Sequence, residues 1–145
     1  RSPGRTELMR RLLAGDAVSP HVWMFLREST CMDTYIQSLQ KLRALNGQYA
    51  GIIAAHVPVI LPNDLVDRLL HCAQNIAAEK SVPYQAPFKD AGSGLMYFEG
   101  FEALKEALGM PTLDLAAQPF HTLNLAGVDF TTVPFVSIVY DELKR

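Results

Sequence analysis

The sequence contains no apolar run approaching the roughly 20 residues that a membrane-spanning helix needs, and this excludes a conventional helical span. It opens Arg1-Ser2-Pro3-Gly4, which is not the basic–apolar–small pattern of a secretory leader. There is no initiator Met, so the chain reads as a fragment or a processed product. Its net charge is only −2, too little of either sign to point to nucleic acid or an anionic membrane as a partner. Only two cysteines occur, Cys31 and Cys72, too few for a disulfide framework, and the expectation is a reduced thiol pair in a cytoplasmic protein. Gly-rich phosphate loops, a GxSxG elbow and CxxC pairs are absent, which removes the commonest signatures of nucleotide binding, serine hydrolysis and thiol redox chemistry. No internal repeat or low-complexity tract is visible.

What is present is enough apolar sequence for one core. The chain has 145 residues, 49% hydrophobic and 19% charged, and fits a single domain over 1–145. Residues Leu8 to Ala14 read as a strand that runs into Gly15-Asp16. Val18 to Leu26 reads as a loop. Ser29-Thr30 offers a helix N-cap with Asp33 in the first turn. Met32, Tyr35, Ile36, Leu39, Leu42 and Leu45 then recur at helical spacing until Asn46-Gly47. Gly51 to Ala55 is nearly all apolar, as in a strand buried on both faces, and it ends at His56. A second helix starts near Asn63-Asp64, with Leu65, Leu69, Leu70, Ala73 and Ile76 on one face. Ser81 to Gly94 reads as loop. Glu102 to Leu108 reads as a short helix and Thr112 to Thr132 is ambiguous. Phe135 to Tyr140 reads as a closing strand. The order suggests an α/β chain with a strand–helix–strand crossover.

Two strands thus deliver a metal-capable side chain at their exits, Asp16 and His56. Carboxylate and imidazole suit zinc and similar ions, and in layered α/β folds sites lie where strands end. Each residue also has a structural reading: Gly-Asp is ordinary turn chemistry, and His56 could be a satisfied histidine near the core. The remaining histidines are His21, His71 and His121. His21 follows Asp16 on the next segment. His71 sits in mid-helix beside Cys72. Trp23 and Phe25 could line a substrate mouth or serve the core. Asp64 and Asp67 read as solvated charge at a helix start.

These residues resemble a known superfamily. Leu12-Leu13-Ala14-Gly15-Asp16 is similar to the LxxGD strand of the metallo-β-lactamase-fold hydrolases. Ser38-Leu39-Gln40-Lys41-Leu42 is similar to the SLxKL helix that follows it there. Ile52 to Ile60 resembles the next strand, which ends in GHG or a variant, and the helix from Asp64 to Ile76 resembles its successor. Phe135 to Asp141 resembles the last strand of many members. The likeness covers most of Leu12 to Ala77 and, more loosely, the C-terminus. Residues 92–133 match nothing and stand as an unassigned insertion or loop region.

The resemblance implies a partial αββα sandwich, incomplete and equivalent to the C-terminal half of such a hydrolase. It implies one or two zinc ions, with Asp16 as bridging carboxylate and His56 as the last metal-ligating histidine, both catalytic. Metal-bound water would supply the hydroxide for hydrolysis of a small-molecule substrate, with Trp23 and Phe25 as substrate-binding candidates. The sequence departs from that pattern in two places. It has no HxHxDH run, and the turn matching PGHT reads Pro3-Gly4-Arg5-Thr6. Arg5 cannot ligate a cation because its guanidinium keeps its protons. The alternative is a non-catalytic relic or a binding or oligomerising half-domain that has lost the metal. A half sandwich would also leave a sheet face uncovered, so self-association is expected.

Overall fold

In the computed structural model, the described residues are 12–15, 18–24, 31–54, 59–80, 84–86 and 94–140. They form a mixed α/β chain. The apolar segments at 12 and 52 become β1 (Leu12–Gly15) and β3 (Ile52–Ala54), which pair in parallel as a two-stranded sheet. Leu12 lies beside Ile52 and Gly15 beside Ala54, with a register irregularity between Leu13 and Gly15. A second sheet has four strands in the order β2-β6-β5-β4: β2 (His21–Met24), β4 (Tyr84–Ala86), β5 (Gly94–Glu99) and β6 (Val136–Tyr140). β2 runs parallel to β6, whereas β5 is antiparallel to both β6 and β4.

Two expectations are corrected here. The loop read over Val18 to Leu26 contains β2, because His21 to Met24 pair with Ser137 to Tyr140. The loop read over Ser81 to Gly94 contains β4 and the start of β5. Both strands are made by partners distant in the chain, so neither has a local signal of its own. β5 nonetheless alternates as a strand buried on two faces should. Leu95 and Tyr97 pack with one core cluster, Met96 and Phe98 with the other.

The helices follow the periodicity of the sequence. α1 (Met32–Ala44) buries Met32, Tyr35 and Leu39. Its N-cap position falls on Cys31, which makes no side-chain capping bond; Ser29 and Thr30 lie outside the described residues. α1 closes into a 3₁₀ turn at Asn46–Gln48. α2 (Asp64–Ala77) buries Leu65, Val66, Leu69, Leu70, Cys72, Ala73 and Ile76. Asp64 and Asp67 stay outside, where each meets an arginine, Arg68 at 2.5 Å and Arg43 at 3.9 Å. α1, α2, β3 and one face of β6 make the first core cluster.

The second cluster lies on the other face of β6. α3 (Phe101–Ala107) contributes Phe101 and Leu104. The segment left unassigned by the sequence supplies Leu113, Leu115, Phe120, Leu123, Leu125, Val128 and Val133 to the same cluster. It is built of turns and a 3₁₀ turn at Phe120–Thr122, so its apolar residues have no helical or strand period. It functions as a cover for the sheet. β6 is consequently buried along its whole length. Gly100, between β5 and α3, has φ +79°, and a Cβ there would come within 2.3 Å of the Pro134 carbonyl oxygen. Only glycine meets both conditions.

Candidate functional site

The parallel pairing of β1 and β3 sends both chains out at the same end of one small sheet. Gly15 and Ala54 are register partners there. Asp16, one residue past β1, and His56, two past β3, lie outside the described residues, as does Phe25. The backbone of Trp23 lies in β2, opposite Val139. The start of β3 is tied separately: the Ile52 amide donates to the Leu61 carbonyl at 2.9 Å and the Leu61 amide returns the bond at 2.8 Å.

The segment after Asp16 is fixed by a polar knot on β6. Val18, Ser19 and Pro20 are buried. The Pro20 carbonyl accepts from the Ser137 amide at 2.9 Å and from the Ser137 hydroxyl at 3.2 Å. The His21 Nδ1 lies 2.5 Å from the same hydroxyl oxygen. Because Ser137 has one hydroxyl hydrogen and gives it to Pro20, Nδ1 must carry the proton that it donates to Ser137. Ser19 donates its hydroxyl to the His21 carbonyl at 2.8 Å and accepts from the His21 amide at 3.3 Å. The imidazole also lies 5.2 Å from the Phe120 ring centroid. Burial pushes its pKa down to about 4, so the ring is neutral at neutral pH. Sequence reasoning noticed His21 only as a nearby histidine. It missed Ser137, since nothing local marks a serine 116 positions away as its partner.

The other histidines and cysteines stand apart from this knot. His71 is on the exposed side of α2, 2.9 Å from the Glu99 carboxylate. Cys72 is buried, and desolvation followed by the nearby Glu99 charge pushes its thiol up, away from thiolate. Cys31 is exposed, and its hydrogen bond with the Thr34 hydroxyl lowers its pKa. Both cysteines are free. Among the described residues, no three His, Cys, Asp or Glu side chains converge as a metal site would require. An open cavity of ≈ 380 Å³ is lined by Gly51, Ile60, Leu61, Pro62, Asn63 and their neighbours. It lies at the start of β3 rather than at its exit. Among the described residues no helix is long and apolar enough to cross a membrane.

The fold thus defines a mixed α/β chain with a two-stranded parallel sheet beside a four-stranded mixed one. Compared with family models, curated proteins and solved structures, the chain matches none.

Proposed function

We propose that this chain contributes Asp16 and His56 to a divalent-metal centre in a hydrolase of the metallo-β-lactamase type, acting on a small-molecule substrate. The observation that supports this reading is the parallel register of Gly15 with Ala54. It makes one sheet end the shared exit of the two strands that precede these residues. The finer fold reading, an αββα sandwich, belongs to the same proposal and draws on the two sheets and the layer of α1 and α2.

The donor types fit zinc and the donor number does not. A catalytic zinc takes about three protein ligands plus water, and two residues fall short. His21 holds its Nδ1 against Ser137, and Arg5 stands at the matching position of the turn. No catalytic step through a metal is therefore assigned to these 145 residues by themselves. The missing donors have to come from another polypeptide segment, and the isolated chain is expected to be inactive. The second reading, a non-catalytic relic or binding module, is favoured by Arg5.

Zinc retention separates the two. Purified chain loaded with zinc and dialysed is expected to keep a weakly bound ion, and Asp16→Ala and His56→Ala should each lower the affinity by at least about tenfold. Equal retention by all three chains removes the proposed site. A parent chain that keeps none selects the non-catalytic reading. Self-association narrows to the two-stranded sheet, where Ile53 is 39% exposed, because the four-stranded sheet carries a core cluster on each face. Light scattering on dilute chain tests it, and a clean monomer removes it.

A further inference from the structure

The connection from β1 to β2 is short and is held at both ends. At one end Gly15 is in register with Ala54. At the other, Val18, Ser19 and Pro20 are buried and the Pro20 carbonyl takes two hydrogen bonds from Ser137. Only residues 16 and 17 lie between these anchors. A side chain on so short a span can wander only as far as its anchors allow.

We propose that Ser137, with His21 as its hydrogen-bonding partner, is a positioning residue for Asp16. This rests on the reading of Asp16 and His56 as the two ligands of one ion. Ser137 is fully buried in the middle of the sheet, so it touches neither a metal nor a substrate. Its hydroxyl does two things at once. It donates to Pro20 and so fixes the path of the chain leaving Asp16. It accepts from His21 Nδ1 and so locks the first residue of β2. Alanine at 137 leaves the His21 donor without this acceptor, and the Pro20 carbonyl keeps only the amide bond. The Ser19–His21 bonds remain, but they are local and do not tie the segment to β6.

The test needs no metal. Cysteines are placed at 16 and 56 in a Cys31→Ser background, and the rate of cross-linking by a short bis-maleimide is measured. A control pair uses Arg43→Cys with Asp67→Cys, two exposed sites that already form an ion pair between α1 and α2. With Ser137 present, the 16/56 pair should react fast. Ser137→Ala should slow it by about fivefold or more, as a spread of conformations does to a reaction that needs one of them. Ser137→Thr, which keeps the hydroxyl, should restore the parent rate, and the 43/67 pair should not respond to either change. An unchanged 16/56 rate in Ser137→Ala overturns the positioning role alone. An equal fall in both pairs also overturns it, because the effect is then general loosening. Failure of the 16/56 pair with Ser137 intact overturns the two-ligand reading itself.

Discussion

Tyr140 ends β6 with its ring fully buried in the first core, and its hydroxyl has no hydrogen-bond partner among the described residues. A buried phenol left without a partner costs about 1–3 kcal/mol relative to its hydrated state. Tyr140→Phe keeps the ring and removes that cost, so it should raise unfolding stability by about 1 kcal/mol, read from the midpoint of a urea titration. A fall would show that the hydroxyl has a partner in solution. His21 gives the opposite kind of prediction. Its folded pKa is pushed down to about 4 from 6.5 by burial, so between these values the unfolded chain holds more protons than the folded one. Stability must therefore drop as pH falls from 6.5 to 4, by up to roughly 3 kcal/mol from this residue. His21→Asn, which retains a donor for Ser137, should flatten that part of the pH profile relative to the parent. Parallel profiles would remove the assignment. Gly100 is constrained by φ +79° and the Pro134 carbonyl. Gly100→Ala is expected to cost at least about 2 kcal/mol, measured in the same titration.

At the scale of elements, the energetic weight lies where α2 meets α1 and β6. Leu69 is fully buried in that contact. Leu69→Ala removes buried methyl groups and leaves a cavity, which typically costs 2–5 kcal/mol; a loss of about 3 kcal/mol is expected, and a loss below about 1 would mean that the helix packs elsewhere. The two helices were legible in the sequence because each presents one apolar face with a 3.6-residue period, and that pattern survives in any tertiary context. β1, β3 and β6 were legible as apolar runs. β2, β4 and β5 were not. Their pairing energy comes from strands far along the chain, and His21 to Met24 has no alternation that local reasoning could use. The candidate site divides in the same way. That Asp16 and His56 each follow a strand is written in the sequence. That β1 and β3 are parallel neighbours is a pairing fact which no window of residues contains. The tie from Ser137 to Pro20 spans 117 positions and left no local trace.

Over the whole molecule, one strand joins two cores. Val136, Ile138 and Tyr140 of β6 face the cluster built on α1 and α2, while Phe135 and Val139 face the cluster built on α3 and the turns of residues 111–133. Phe120 packs at 5.8 Å from Phe135 and at 5.2 Å from His21, so this cover is in contact with both β2 and the entry to β6. A segment rich in turns usually opens at low free energy, since few of its backbone bonds are protected. Here, opening it would expose the apolar Met96, Phe98, Phe135 and Val139 of two central strands, which should make it part of the global unit. Phe120→Ala tests this coupling. The loss of a buried aromatic ring should cost about 3 kcal/mol and move a single transition to lower denaturant. Trp23 fluorescence from β2 and the far-ultraviolet helix signal, which comes mainly from α1 and α2, should report the same midpoint. The slope of free energy against denaturant should stay the same, because the surface exposed on unfolding does not change. If the tryptophan signal instead moves ahead of the helix signal, the cover and β2 form a separate unit. In that case β6 does not transmit stability between the cores, and the polar knot of His21 and Ser137 would open before α1 and α2 do.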